Sequence, residues 1–331
     1  MKVLFLGGYG NISWWCVEKC IQEGYDVYIL NRALTTQSRR PMSKRVKIIN
    51  CDLRNIEQAK KSIESLQVEV VCDFICYNKK EAIDTIELFE GKIKQYIVIS
   101  SAANYDRRKL KYPITEDSLQ YSEYDYVANK IEMEKVFLQA FQQRRFPVTI
   151  VRPAQTYDTL IPDAIGRADF TIANRILNKK PIILFGDGMT LWTLTHASDF
   201  ANAFFYLIGN AKTLGEDFHI TSDELLTWRD ITKMTADALG VSEVKTVFMT
   251  TDFIKYHHPE IGIHIQCHRM CCDIYDNSKI KSIATSWSCK VPFISGIKKS
   301  IEWLMEDSNR RRINNDLDKS IDDLISLYCL K

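Results

Sequence analysis

The stretch Met1-Lys-Val-Leu-Phe-Leu-Gly-Gly-Tyr-Gly-Asn-Ile-Ser13 decides the fold of this chain. It contains an apolar run at Val3–Leu6, long enough for one buried strand, followed by a glycine-rich turn and a helical pattern from Trp14. Glycines let the backbone turn tightly and approach phosphates, and a helix N-terminus offers N–H groups and the positive end of its dipole. Ser13 stands where a third small residue is usual, so the spacing predicts a site for a dinucleotide pyrophosphate. The residues expected to hold it are Gly7, Gly8, Tyr9, Gly10, Asn11 and Ile12.

Apolar runs alternate with helical patterns along the first half of the chain. After the opening strand, strand-like runs occur at Val27–Leu30, Val46–Ile49, Val68–Cys76, Tyr96–Ile99 and Val148–Val151. Their intervals suit crossover helices, so the pattern predicts the α/β class, with a doubly wound parallel-sheet Rossmann domain. The alternation weakens after Pro153, which indicates a smaller mixed α/β C-terminal lobe. We expect the dinucleotide-binding domain at 1–153 plus about 189–212, and a substrate-binding lobe at 154–188 and 213–331.

The charges of the 331 residues nearly balance, with 44 Lys and Arg against 42 Asp and Glu. This balance argues against a nucleic-acid partner held by bulk electrostatics. No apolar run approaches the roughly 18–20 residues of a membrane span, so we expect no membrane partner either. The 10 cysteines, two of them inside an apolar run, indicate reduced thiols and a cytoplasmic protein. Since the first residues already form a predicted strand, we expect no targeting segment.

The end of the second predicted strand bears on which dinucleotide binds. NAD-binding folds usually carry an acidic residue about 20 residues past the glycines, and this chain has Asn31 and Arg32 there instead. Arg32, with Arg39 or Arg40, can pair with a ribose 2′-phosphate, which favours NADP, with NAD as the second choice. The alternative is that Arg32 is only a solvated loop charge.

The ends of later strands supply more candidates for the same cofactor. Asp52, followed by Leu53, ends the third run. Its carboxylate can accept a hydrogen bond from the adenine amino group, or it can cap a helix near Asn55. Cys76 and Tyr77 end the fourth run, and we expect them to lie along the cofactor because ligands bind at the carboxyl ends of parallel strands.

Two hydroxyls and a tyrosine–lysine pair form the candidate reaction centre. Ser100 and Ser101 follow the buried run Tyr96–Ile99, and Tyr126 and Lys130 lie four residues apart, on one face of a predicted helix. A free phenol has a pKa of about 10 and is a poor base at neutral pH, but a neighbouring ammonium stabilises the phenolate and lowers that pKa. If Ser101 hydrogen-bonds to the substrate oxygen, the three residues can transfer a proton to and from a carbinol while a nicotinamide transfers a hydride.

In these features the chain resembles the extended short-chain dehydrogenase/reductases, the NAD(P)-dependent epimerase/dehydratase group. The motifs that carry the resemblance are Gly7–Ser13, Ser100-Ser101 four residues before Tyr105, Pro113–Asp117, Tyr126 with Lys130, Val151-Arg152-Pro153, Gly186-Asp187-Gly188, Thr195–Asp199, Ile220–Glu224 with Leu226–Trp228, and Asp276–Lys279. They extend over nearly the whole chain.

The resemblance implies a two-lobed enzyme and a role for each member of the trio. Tyr126 is then the catalytic acid/base, Lys130 holds the cofactor ribose and lowers the pKa of Tyr126, and Ser101 orients the substrate. It also places Pro153 near the nicotinamide. Beside the trio, we expect Ser100 to contact the cofactor and Ala102 to contact the substrate. The resemblance further implies homodimers formed by packing of the helix that carries Tyr126.

Two departures from the family pattern bear on the substrate. Ala102 and Ala103 follow Ser101, where sugar 4,6-dehydratases carry an acidic pair, so loss of water is not expected. Trp192 stands four residues past Gly188, where many nucleotide-sugar members have an arginine that grips the diphosphate. We expect its indole either to stack on a substrate ring or to fill the core.

Two further groups of residues have structural explanations. The cluster His264, Cys267, His268, Cys271 and Cys272 has spacings that suit one helix face and zinc, but no second ligand cluster is obvious, so we expect no metal. Thr227, with Asp230 three residues later, predicts the N-cap of a helix.

The leading hypothesis is an NAD(P)-dependent oxidoreductase that transfers a hydride at a secondary alcohol or ketone. Its substrate is expected to be a sugar or a sugar-like ring, free or as a nucleotide sugar. The reaction is either a simple reduction or oxidation, or a 4-epimerisation. The alternative is a non-catalytic protein of the same fold that binds RNA or a regulatory ligand, and the joint presence of Ser101, Tyr126 and Lys130 favours the enzyme.

Overall fold

The computed structural model describes residues 1–32, 40–64, 66–166 and 168–329. The elements in chain order are β1 (Lys2–Leu6), α1 (Ser13–Gln22), β2 (Asp26–Asn31), β3 (Lys47–Asn50), α2 (Ile56–Ile63), β4 (Val70–Asp73), α3 (Lys79–Phe89), β5 (Gln95–Ile99), α4 (Asp125–Arg144), β6 (Val148–Pro153), β7 (Gln155–Tyr157), α5 (Thr171–Leu177), β8 (Ile182–Phe185), β9 (Leu191–Trp192), β10 (Leu194–His196), α6 (Ala197–Phe205), β11 (Asp217–Ile220), β12 (Leu226–Thr227), α7 (Trp228–Ala238), β13 (Thr246–Met249), α8 (Thr251–His257), α9 (Pro259–His268), α10 (Ser278–Ile283), α11 (Phe293–Met305) and α12 (Asn315–Cys329). Short 3₁₀ turns lie at Ala102–Asn104, Ala211–Thr213 and Ser308–Arg310.

The chain divides into two compact units. Unit 1 comprises Met1–Ala154, Ala197–Thr221 and Asp276–Ser288. Unit 2 comprises Gln155–His196, Ser222–Tyr275 and Cys289–Lys331.

In the described residues, unit 1 is built on a seven-stranded parallel sheet in the order β11-β6-β5-β4-β1-β2-β3. Its inner strands are mostly apolar and largely buried because helices cover the sheet: α1 packs against α6, and α3 packs against α2 and α4. Residues Val3–Leu6 of β1 are fully buried. The predicted α/β class and the doubly wound parallel Rossmann sheet are confirmed.

The strand order locates the ligand-binding edge of this sheet. β1 pairs with β2 on one side and with β4 on the other, so the chain winds outward in both directions from this point. In doubly wound sheets, ligands bind in the crevice at the carboxyl ends of the strands at such a reversal. The glycine turn follows β1 at this edge.

β4 is shorter than the predicted run Val68–Cys76 at both ends, since it begins at Val70 and ends at Asp73. One carboxylate oxygen of Asp73 accepts hydrogen bonds from the N–H groups of Ile75, at 2.7 Å, and Cys76, at 3.0 Å. Such a local bond turns the chain out of the sheet. The other oxygen accepts the hydroxyl of Tyr96 from β5.

α4 carries the candidate reaction residues over 20 residues of regular helix. Tyr126, Lys130 and Glu134 follow one another at intervals of four and therefore share one helix face. In the part of the chain that the structure describes, no helix combines the length and the apolar character that crossing a membrane requires.

Unit 2 is a smaller mixed assembly of helices and short strand pairs. β8 pairs with β13 and β7 with β10 in parallel, and β9 pairs with β12 antiparallel. Its core contains an apolar cluster that includes Trp192, Trp228 and Phe293. The predicted N-cap of α7 is confirmed: the Thr227 hydroxyl accepts the Asp230 N–H at 3.1 Å, and the Asp230 carboxylate accepts the Thr227 N–H at 2.9 Å.

The two units divide the chain differently from the expected domains. Residues 189–196 belong to unit 2, whereas 213–221 and 276–288 belong to unit 1. The reason is β11, which pairs with β6 and completes the edge of the main sheet. The segment that begins at Asp276 is held beside β11, because the Asn277 side chain accepts the Thr221 hydroxyl at 3.0 Å.

Candidate active site

The glycine turn after β1 is packed too tightly for side chains. Gly7 has φ +82°, a conformation that residues with a Cβ rarely adopt, and a Cβ there would lie 2.3 Å from Cγ2 of Ile75. A Cβ on Gly8 would lie 2.6 Å from Cδ1 of Ile29. A Cβ at either position would force an isoleucine side chain to shift, and the bare backbone of the two glycines suits a close ligand approach.

Ser13, the residue in the third small position, closes this turn. Its Oγ accepts the N–H of Gly10 at 2.8 Å, a bond that glycine could not provide. Ser13 is also the first, buried residue of α1, and its predecessor Ile12 makes no side-chain cap. A helix start without a side-chain cap is the arrangement that anions use.

A cavity of about 480 Å³ opens at the carboxyl ends of β1 to β4. Its volume lies within the usual range of ligand pockets, roughly 300–1,000 Å³. Of the predicted cofactor contacts it is lined by Gly7, Tyr9, Asn31, Arg32, Asp52, Leu53, Cys76 and Tyr77. Sequence reasoning missed other lining residues, among them Arg54, Asp73, Ile75, Lys80 and Glu81. The bare turn and this cavity fit the adenosine and pyrophosphate parts of a dinucleotide.

The other predicted cofactor contacts lie outside this lining. Gly8, Gly10, Asn11 and Ile12 belong to the turn and the start of α1, and Ser100, Lys130 and Pro153 lie after β5, on α4 and at the end of β6. Arg39 lies outside the described residues. Asp52 was predicted either to contact the adenine or to cap a helix. The N-cap of α2 is Asn55 instead, because its side chain accepts the Gln58 N–H at 3.1 Å.

Lys130 is buried, and its ammonium contacts three groups. It donates to the carbonyl oxygens of Cys76 and Ile99, each at 2.7 Å. It also lies 4.5 Å from the centre of the Tyr77 ring. Burial lowers the pKa of Lys130, and the nearby Cys76 and Asp73 partly oppose the shift.

Tyr126 is 43% exposed, and its ring centre lies 6.2 Å from that of Tyr77. Burial, followed by the neighbouring Tyr77 and Tyr124, raises the pKa of Tyr126 to about 12. This direction differs from the expected lowering by Lys130. The physical reason is that the Lys130 ammonium donates to two backbone carbonyls and faces the Tyr77 ring.

The two serines after β5 have distinct partners. The Oγ of Ser101 accepts the Ala103 N–H at 3.1 Å and caps the 3₁₀ turn that begins with buried Ala102. Because that bond uses a lone pair of the hydroxyl, its hydrogen stays available to donate. The Oγ of Ser100 accepts from Asn104 at 3.1 Å, and its N–H donates to Val151 of β6 at 2.7 Å.

Glu134 and Arg152 lie next to residues of this site in the sequence, Glu134 on the same helix as Lys130 and Arg152 beside Pro153. The sequence pattern alone assigned them no role. They form a buried ion pair, with the Glu134 carboxylate 2.7 Å from Nη2 of Arg152. The same carboxylate accepts hydrogen bonds from Asn104 and Gln120, each at 2.8 Å. Glu134 follows Lys130 by four residues, and this spacing was the signal that could have identified it.

Trp192, which was also predicted as a possible substrate contact, lies in the core of unit 2. It is 4% exposed, its ring packs 5.2 Å from that of Trp228, and its Nε1 donates to Gln155 at 2.8 Å. The structure thus favours the core role over stacking on a substrate ring. In the described residues, no group of three or more His, Cys, Asp or Glu side chains is arranged to hold a metal ion.

Residues 3–221 match the NAD dependent epimerase/dehydratase family, and the chain belongs to this family. The resemblance to the extended short-chain dehydrogenase/reductases is thereby confirmed. The match covers the glycine turn, the cavity and all members of the Ser–Tyr–Lys trio.

Two curated proteins are similar to this chain in sequence. The Chloroplast stem-loop binding protein of 41 kDa b from Arabidopsis thaliana is 25% identical over 264 residues, which cover 74% of this chain and 65% of the relative. The UDP-glucose 4-epimerase from Lactobacillus helveticus is 26% identical over 205 residues, which cover 57% of this chain and 62% of the relative. The alignments therefore span less than two thirds of each relative.

Solved structures of sugar epimerases share the fold. The UDP-glucuronic acid 4-epimerase from Bacillus cereus, solved in complex with NAD, superposes with a TM-score of 0.73 at 18% identity. The superposition covers 92% of this chain and 99% of that one.

Proposed function

We propose that this chain is an NAD(P)-dependent enzyme that transfers a hydride at a secondary alcohol or ketone of a sugar or sugar-like substrate. It acts as a reductase or dehydrogenase, or as a 4-epimerase. One observation supports this most: Tyr126 and Lys130 share a face of α4, and Tyr77, which contacts both, lines the cavity at the carboxyl ends of β1 to β4. Family membership supports the same class of reaction.

In this proposal the glycine turn and the cavity hold the dinucleotide. The turn and the start of α1 bind the pyrophosphate, Asp52 and Leu53 contact the adenine, and Asn31 and Arg32 contact the adenosine ribose. Ser100 and Pro153 lie beside the nicotinamide half. When bound, the dinucleotide supplies the hydride donor or acceptor.

The proton that accompanies the hydride is handled by the trio. The raised pKa keeps the phenol of Tyr126 protonated at neutral pH, so it can donate to a carbonyl oxygen in the direction of reduction. In oxidation it must lose that proton, and the Lys130 ammonium then stabilises the phenolate. Ser101 donates its hydroxyl hydrogen to the same substrate oxygen and fixes its position.

The choice between NADP and NAD rests on the end of β2. Arg32 lines the cavity beside Asn31, and neither carries the carboxylate that would hold a ribose 2′-hydroxyl. This supports the predicted preference for NADP. Several solved structures of the same fold contain NAD, which supports NAD instead. Direct titration with both dinucleotides decides between them.

A charge reversal at Arg32 tests the cofactor assignment. Arg32→Glu should weaken NADPH binding at least tenfold and spare NADH, because the 2′-phosphate loses its cation and meets a carboxylate. Arg45→Glu makes the same charge change at an exposed position that does not line the cavity, and it should bind both as the wild type does. Fluorescence titration with NADPH and with NADH measures the affinities of the purified wild type, Arg32→Glu and Arg45→Glu. Absence of saturable binding of either dinucleotide to the wild type would contradict the proposed function.

The substrate class is proposed from the relatives. One curated relative is named for UDP-glucose 4-epimerisation, and a solved structure of the same fold is a UDP-glucuronic acid 4-epimerase. Buried Ala102 in place of an acidic residue supports a reaction without loss of water. Turnover assays should therefore compare UDP-hexoses with free sugars and polyols.

A second candidate function, RNA binding, is favoured by the other curated relative, which is named a stem-loop binding protein. The exposed residues Arg108, Lys109, Lys111 and Tyr112 would provide cations and a ring for it. Such binding would weaken steeply with salt. A steep salt slope together with no turnover on any carbonyl would favour this function over the enzyme.

We propose a cytoplasmic homodimer, as the sequence suggests. The described residues contain no disulfide, which suits a reducing compartment. The dimer would pack α4 against its copy, and the outer face of α4 offers Asn129, Glu132, Lys135 and Gln139 for polar contacts. Light scattering after size-exclusion chromatography measures the mass, and the mass of one chain would contradict the dimer.

A further inference from the structure

The ring of Tyr77 stands between the cavity and the Lys130 ammonium. Tyr77 lines the cavity, whereas in the described part of the chain neither Lys130 nor Tyr126 contributes to its lining. The same ring lies 4.5 Å from Nζ of Lys130 and contacts the ring of Tyr126 on α4. A ligand that extends from the cavity toward Lys130 therefore meets Tyr77 first.

The ring also occupies the remaining side of the ammonium. An ammonium has three N–H donors, and two of those of Lys130 go to the carbonyls of Cys76 and Ile99. The face of Tyr77 attracts the charge as a cation–π partner. For Lys130 to reach a ribose hydroxyl or the Tyr126 oxygen, this ring must leave it.

Only the side chain of Tyr77 is free to make that movement. Its backbone N–H donates to the carboxylate of Glu81 at 2.7 Å. On one side Asp73 holds the N–H of Cys76, and on the other Asn78 caps α3. The side chain itself is 45% exposed, so a rotation into solvent meets little packing.

We propose that Tyr77 is a positioning residue that covers the Lys130 ammonium and rotates away when the ribose of a bound dinucleotide takes its place. The inference rests on the proposed function, because it assumes that a dinucleotide fills the cavity. In the covered arrangement Tyr126 lacks the ammonium at its oxygen, which accords with its raised pKa. Rotation of Tyr77 therefore couples cofactor binding to assembly of the tyrosine–lysine pair.

The test is dinucleotide binding kinetics in the full chain, which requires no substrate. In stopped-flow mixing with NADPH or NADH, the wild-type binding rate should level off at high dinucleotide concentration, because the rotation becomes limiting. Tyr77→Ala should bind with a rate that rises linearly and should bind about threefold to tenfold more tightly, since no cation–π contact is lost. Tyr77→Phe keeps the ring and should behave as the wild type. Tyr121→Ala removes another exposed tyrosine and is the matched control.

A second background separates this role from simple bulk in the cavity. In Lys130→Met the ring has no ammonium to leave, so adding Tyr77→Ala should change the affinity by less than about twofold. Equal or weaker binding by Tyr77→Ala than by the wild type would overturn the inference, as would the same gain in the Lys130→Met background. If binding follows the expected pattern but no carbonyl is turned over, the proposed function fails and this inference stands. If the wild type binds neither dinucleotide, both fail.

Discussion

The Glu134 carboxylate, one helical turn beyond Lys130, accepts hydrogen bonds from Nε and Nη2 of Arg152 at 3.0 and 2.7 Å. Both side chains are almost fully buried. Arg152 is the residue before Pro153 at the end of β6, so the pair joins the helix of the tyrosine–lysine pair to the sheet. All lone pairs of the carboxylate are used, since Asn104 and Gln120 donate to it as well.

Loss of this carboxylate should cost much more than loss of an exposed one on the same helix. Glu134→Gln leaves the Arg152 guanidinium with less compensation in the interior, and we expect a loss of about 3 kcal/mol in the free energy of unfolding. Glu132→Gln breaks the exposed pair with Lys135 and should cost less than about 1 kcal/mol. Urea denaturation of both variants measures the difference. Equal losses would mean that the buried pair does not anchor α4.

Gly7 and Gly24 offer a matched test of the turn. Both have positive φ, +82° and +81°, but only a Cβ on Gly7 meets a side chain, Ile75. Gly24→Ala should cost only the backbone strain, about 1 kcal/mol. Gly7→Ala should cost a further ~1–3 kcal/mol from overpacking and should abolish dinucleotide binding, which Gly24→Ala leaves unchanged. Dinucleotide titration and urea denaturation check both, and full binding by Gly7→Ala would remove the turn from the site.

The ion pairs that hold the last helix of unit 2 predict a pH dependence. Burial raises the pKa of Asp318, but hydrogen bonds from Lys180 and Arg175 outweigh it and leave the pKa below its ordinary value. A carboxyl with a lowered folded-state pKa stabilises the fold above its unfolded-state pKa, ~3.9, and that contribution is lost as pH falls through the folded-state pKa. Asp318→Asn should therefore be less stable than the wild type at pH 7.

The difference in unfolding free energy between wild type and Asp318→Asn should shrink steadily as the pH is lowered below about 4. Asp323→Asn alters an exposed carboxyl on the same helix and should match the wild type throughout. Urea denaturation from pH 7 to pH 3 gives the three curves. A difference that stays constant with pH would mean that the Asp318 charge does not hold α12.

Much of unit 1 could be predicted because its features are local in sequence. Buried parallel strands are largely apolar runs, and the Tyr126–Lys130 spacing is a property of a single helix. The predicted end of β4 was wrong because Asp73 is flanked by apolar residues on both sides, and its turn-forming hydrogen bonds depend on the chain that follows. The edge strand β11 was not predicted as part of the main sheet because its partner strand, β6, is distant in sequence.

The electrostatics of the site could not be predicted, since they depend on tertiary contacts. The spacing predicted Lys130 on the same helix face as Tyr126. The Lys130 ammonium, however, donates to the carbonyls of Cys76 and Ile99 and faces the ring of Tyr77, and these groups come from other elements. The sequence alone could not decide between stacking of Trp192 on a substrate ring and its burial in the core. That burial depends on contacts with residues that are distant in sequence.

Single-turnover hydride transfer in Tyr126→Phe tests the central claim most directly. The variant lacks only a hydroxyl on an exposed ring, so it should fold and bind the dinucleotide as the wild type does. Tyr121→Phe removes a hydroxyl from another exposed ring and serves as the control. With reduced dinucleotide and a carbonyl substrate that the wild type turns over, absorbance near 340 nm should decay about 10²–10⁴ times more slowly in Tyr126→Phe and unchanged in Tyr121→Phe. Decay at the wild-type rate in Tyr126→Phe would contradict the assignment of that phenol as the acid/base.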